Sequence, residues 1–109
     1  MNEVDPNGIS QHEPGAKLDH GKVQMGLVFG GFARSLEEVG KVATYGANKY
    51  TPDGWKHVPN PVERYTNAML RHWVAYSKGE VLDKDTGLSH FAHFTWNALA
   101  VLHFLSGHD

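Results

Sequence analysis

The chain has no cysteine, so it carries neither a disulfide framework nor a thiolate metal site. It has no apolar run long enough to span a bilayer and no signal-peptide pattern at its start, which predicts a protein without a membrane partner. It has no basic excess: ten Lys and Arg stand against twelve Asp and Glu, a formal net charge of −2. A chain that coats nucleic acid needs a basic footprint, so no nucleic-acid polymer is expected as a partner. Walker loop, dinucleotide fingerprint, nucleophile elbow and HExxH are all missing. What the chain has instead is histidine, eight in 109 residues. One domain is the prior at this length, with a core small enough that association would help to stabilise it.

Residues 1–14 are polar and rich in turn formers, which predicts a flexible arm. Residues 15–109 then form a single domain, beginning with a glycine-rich loop and a brief extended piece up to residue 30. Three helices follow. Phe32, Leu36, Val39, Ala43 and Ala47 recur at helical spacing and predict helix A over 32–47. Gly40 and Gly46 lie on it as candidate points of close helix approach. The segment from Asn48 to Trp55 is a loop by its proline and glycine.

Helix B opens at Asn60, a capping residue, with Pro61 at the first helical position and Glu63 able to close a capping box; Gly79 stops it. Helix C is expected from about Thr86 to Ser106. Leu88, Phe91, Phe94, Leu99, Leu102 and Leu105 give it an apolar surface nearly all round, which two companion helices cannot cover alone. The fold class is therefore all-α, a small three-helix domain in which B and C are antiparallel neighbours, assembled as a homo-oligomer of two or more copies.

The polar residues of these helices carry the functional signal. His90, His93 and Asn97 fall at i, i+3 and i+7, one face of helix C, a polar seam in an apolar helix. Two imidazoles there could ligate a metal, donate to a phosphate or move protons; structural histidines bonded to carbonyls are the alternative. His72 lies on the apolar side of helix B. Arg71 belongs to another stripe, with Arg64, Asn67, Ala75 and Lys78, where it could clamp a phosphate or simply be solvated. Glu80, Asp83 and Asp85 follow Gly79, as helix-capping carboxylates or as groups that bind a divalent ion or a ribose hydroxyl. No cofactor is fixed by these residues; a divalent metal at His72, Asp83, His90 and His93 is the candidate. Lys49, Tyr50 and Trp55 offer a cation and two flat rings for a base, although Trp55 alone reads better as a loop anchor. Lys17 and Lys22 could reach an anion from the glycine-rich segment. His103 is read as structural, and the terminal His108-Asp109 dipeptide as a frayed end.

Taken in order, Gly15-Ala16-Lys17-Leu18-Asp19-His20-Gly21-Lys22, Gly46-Ala47-Asn48-Lys49-Tyr50, Gly54-Trp55, Arg71-His72, Gly79-Glu80 with Asp83, and Gly87-Leu88 with His90 and His93 resemble a family. It is that of the small phage and prophage proteins called dATP/dGTP diphosphohydrolase, N-terminal domain-like. The resemblance spans roughly residues 15–106. It implies an all-helical, nucleotide-related phage protein in the cytoplasm of an infected or lysogenic host, distantly linked to MazG-type pyrophosphohydrolases. Those enzymes hold magnesium with an ExxE on one helix and an ExxD on the next. Here Glu37 and Glu38 are followed by Lys41, and Glu80-Val81-Leu82-Asp83 spells ExxD in a loop, so the magnesium cage is not visible. Three functions stay open. The first is a nucleotide-binding protein, which in a phage setting could sequester a nucleotide-derived immune signal. The second is a metal-dependent nucleotide phosphohydrolase, and the third a helical interaction module.

Overall fold

The computed structural model describes residues 3–107 and is all-α. It contains α1 (Gly26–Phe29), α2 (Ala33–Lys49), a 3-10 turn (Gly54–His57), α3 (Pro61–Ser77) and α4 (His90–Leu105). No strand is present among the described residues, only one isolated bridge between Leu82 and Ser89. The chain divides into two compact units, with the boundary between Gly31 and Phe32.

In the first unit the segment before α1 is folded around one carboxylate. Buried Asp5 accepts N–H bonds from Asn7 (2.8 Å), Ile9 (3.1 Å) and Lys17 (2.9 Å). Those bonds, Lys17 first, hold its carboxyl below the usual range. Lys22 pairs with Glu3, and His20 N–H bonds to Val4 O. The apolar residues expected to be extended make one helical turn instead, α1.

In the second unit α4 packs along α3 and over a shorter stretch on α2. Tyr65, near the start of α3, stacks parallel to Phe104 near the end of α4, with centroids 6.4 Å apart. At the opposite end of the pair Tyr76 meets Phe91 edge-on at 5.0 Å. Helix A extends two residues further than its apolar spacing reaches, and a Cβ at Gly40 or Gly46 would meet nothing within 4 Å, so neither glycine marks a close crossing. Asn60 adopts a left-handed conformation (φ 52°), and its carbonyl, not its side chain, accepts the Arg64 N–H.

The end of α3 follows the expected logic. Gly79 takes φ +98°, which a side chain resists, and lets Glu80 N–H bond back to Ala75 O and Gly79 N–H to Tyr76 O. Helix C starts later than expected. Residues 86–89 form a loop, and Ser89 caps α4 by accepting the N–H groups of Phe91 and Ala92.

The core is small and unusual. Its buried apolar residues are Val39, Val42, Ala92 and Ala100, and the buried face of α4 also carries His90, His93 and Asn97. Four large apolar residues of α4 stay open instead: Phe91, Leu99, Leu102 and Leu105 are 42–66% exposed.

Candidate functional site

Three elements build one polar cluster. α3 supplies His72, α4 supplies His90 and His93, and the loop between them supplies Asp83. The loop is tied at its base, where Asp83 N–H bonds to Leu88 O and His90 N–H to Val81 O. Gly87, at φ +73°, closes the turn by donating its N–H to Asp83 O.

The Asp83 carboxylate is fixed through one oxygen. Oδ1 accepts N–H bonds from Asp85 (2.8 Å) and Thr86 (2.9 Å). The other, Oδ2, lies 3.9 Å from Nδ1 of His72 and 3.9 Å from Nδ1 of His90. The two Nδ1 atoms are 2.8 Å apart. His90 Nε2 is buried without a hydrogen bond; the carboxylate facing it, Glu80 Oε1, is 3.4 Å away but not aligned to accept one. His93 stacks flat on His72, centroids 4.4 Å apart at 5°, and turns its Nε2 to Thr86 Oγ1 at 2.8 Å. Asn97 donates to His93 O at 2.8 Å, a bond within its own helix.

These surroundings disfavour charge on the rings. The His72 imidazole is pushed down to about 4, by burial first, then by His93 and His90, with Asp83 opposing. His93 is lowered as well, again mainly by burial. Burial, the largest single effect on Asp83, acts to raise its carboxyl. The Thr86 and Asp85 N–H donors and the nearby His93 outweigh it, and the net direction is down.

An acid limit on stability follows. His72 binds a proton near pH 6.5 when unfolded but only near 4 when folded, so stability is complete above about 6.5 and falls as pH drops toward 4. For a side chain still 19% exposed the loss is about 2–3 kcal/mol. Urea midpoints at pH 7 and pH 4.5, in chelator, measure it. A His72→Asn variant with an undiminished slope would assign the effect elsewhere.

Beside the cluster runs an open groove of about 860 Å³, lined on α3 by Asn67 and Arg71, at its C-cap by Lys78, and on the following loop by Glu80 and Lys84. Glu80 borders both places, since it also faces His90. Of the stripe read from the sequence, Asn67, Arg71, Ala75 and Lys78 line the groove, while Arg64 is not part of it and donates to Pro59 O at 3.4 Å. Lys84 and Thr86 were not anticipated. Nothing in spacing marks them, because the loop turns alone bring them in.

The other expected site residues lie elsewhere. Lys17 and Lys22 belong to the first unit. Lys49 sits at the end of α2 with its Nζ 5.2 Å from the centre of the Tyr50 ring. Trp55 packs edge-on against Trp96 (5.7 Å), His103 (5.1 Å) and Phe104 (5.9 Å), the opposite end of α4 from His90. His93, expected among the metal ligands, is outside the group whose ligand atoms converge, which is His72, Asp83 and His90. His108-Asp109 lies outside the described residues. Among the described residues, no helix is long and apolar enough to cross a membrane.

The family model dATP/dGTP diphosphohydrolase, N-terminal, matches residues 12–108. The chain belongs to this family. A dATP/dGTP diphosphohydrolase of Salmonella phage PMBT28 is 35% identical over 79 residues, covering 72% of this chain and 26% of that protein. The chain thus spans about a quarter of the length of the curated relative it matches. No solved structure matches. Within the family match fall the His72–Asp83–His90 cluster and the whole cationic groove.

Proposed function

We propose that this protein binds a phosphorylated nucleotide, or a signal derived from one, with its phosphates in the groove of Arg71, Lys78 and Lys84. The observation that carries the reading is that three cationic side chains line one groove in a family named for dATP and dGTP chemistry. Charge-assisted bonds from such a set hold a polyphosphate without covalent chemistry, which is what sequestration requires. Metal-assisted hydrolysis is the second reading, favoured by the convergence of His72, Asp83 and His90 beside that groove. One experiment separates them: a panel of deoxynucleoside triphosphates incubated with the protein, with and without chelator, then chromatographed. Intact nucleotide retained in chelator is the expected result. A shortened product that needs metal and disappears in His90→Ala would replace binding with hydrolysis.

The same reading includes self-association, with α3 and α4 as an antiparallel pair and α4 in the interface. The polar face of α4 is buried in the protomer while Leu99, Leu102 and Leu105 stay open, and burying each fully would stabilise an assembly by about 1–2 kcal/mol. Sedimentation at micromolar concentration should show no dominant monomer, and Leu102→Glu should shift the protein to monomer. A wild-type chain that sediments as a monomer removes this part of the proposal and leaves the groove intact.

A further inference from the structure

We propose that Nδ1 of His72, Nδ1 of His90 and Oδ2 of Asp83 form a site for one zinc-class divalent ion.

The triangle of atoms carries the argument. Its sides are 2.8, 3.9 and 3.9 Å. A point equidistant from all three lies about 2.1 Å from each, within the ~2.0–2.2 Å of zinc–imidazole and zinc–carboxylate bonds. A shared proton between the two imidazoles would explain the 2.8 Å side alone. It leaves Asp83 Oδ2 unexplained, because 3.9 Å is too long for a hydrogen bond to either ring. The carboxylate is nevertheless aimed there by the two backbone N–H groups that hold Oδ1.

A second observation is independent of the triangle. A histidine that gives Nδ1 to a metal carries its proton on Nε2, and that N–H usually meets a carboxylate. His90 Nε2 is a buried atom with no hydrogen bond, and Glu80 Oε1 stands 3.4 Å from it. Ligation at Nδ1 gives that atom its proton, and a small turn of Glu80 then gives it an acceptor.

The donor set also selects the ion. Two imidazoles and one carboxylate suit zinc and its first-row neighbours; magnesium prefers oxygen alone. Three protein ligands leave a fourth position for water or an anionic oxygen. Glu80, which faces both His90 and the groove, is then a positioning residue between the metal and any phosphate bound there. The ion is inferred from this chain's own ligand atoms, so the inference stands or falls separately from nucleotide binding.

The test uses the full chain stripped with chelator and dialysed against zinc, with cobalt(II) as a spectroscopic probe and no nucleotide present. One zinc per chain is expected, undisturbed by tenfold magnesium. Cobalt should give a visible absorption band. His90→Ala and Asp83→Asn should each weaken zinc binding at least 100-fold, with helical content checked by circular dichroism. Because His90→Ala could disturb the core, the more conservative Asp83→Asn is the deciding variant. His93→Gln, which keeps a polar group toward Thr86, should stay within about threefold of wild type. Substoichiometric zinc in the wild type, or unchanged zinc affinity in a folded Asp83→Asn, overturns the site.

Discussion

Replacing Trp55 with alanine should cost the fold about 3 kcal/mol, the lower end for a large aromatic truncation, since the residue is only partly buried. Trp55 sits on the 3-10 turn between α2 and α3, and its ring is edged by Trp96, His103 and Phe104 of α4. Its carbonyl accepts the Tyr65 hydroxyl at 2.9 Å, which ties the same turn to α3. Aromatic edge contacts each add about 0.5–1.5 kcal/mol beyond area burial, so the loss spreads over several partners. A chain of this length has roughly 5–15 kcal/mol in total. Thermal denaturation should therefore move down by roughly 12–20 °C, and Trp55→Phe should recover much of it. The opposite pattern, an unchanged midpoint with weakened nucleotide binding, would return Trp55 to the role of a base platform.

Arg71→Ala should weaken nucleotide triphosphate binding by roughly 10- to 100-fold, the worth of one charge-assisted bidentate contact. Arg71 is exposed on the groove wall, so stability should change by no more than about 0.5 kcal/mol. Arg71→Lys should recover only part of the affinity, because an ammonium keeps the charge but not the planar fork. Wild-type affinity should fall with added salt more steeply than that of the alanine variant. Isothermal titration of dATP and dGTP at two salt concentrations reads both effects. Equal affinity in wild type and Arg71→Ala would move the phosphate site out of this groove.

Trp55 and Arg71 show how differently sequence and structure inform. Arg71 could be placed with Arg64, Asn67, Ala75 and Lys78 from helical spacing alone, and all of these but Arg64 line one groove. Trp55 could not be placed, because no periodicity governs a loop; its packing depends on where α4 passes. The histidine seam was legible for a related reason. Helical geometry puts His90, His93 and Asn97 on one face, and that face is buried. Which histidine does what was not legible. His93 is drawn to Thr86 by a loop bond, while His90 meets His72 from a different helix across eighteen residues.

The sequence by itself determined the all-α class, the three long helices to within a few residues, the stop at Gly79 and the family. These depend on local periodicity, turn chemistry and residue identity, all written along the chain. Only the tertiary structure decided that α4 buries His90 and His93 while Leu99, Leu102 and Leu105 stay exposed, since packing against α3 and α2 selects one face of a helix that hydropathy reads as apolar nearly all round. It alone also brought Asp83 Oδ2 to equal distances from two imidazoles. That meeting depends on a loop whose backbone N–H groups aim one carboxylate oxygen, and sequence spacing carries no record of direction.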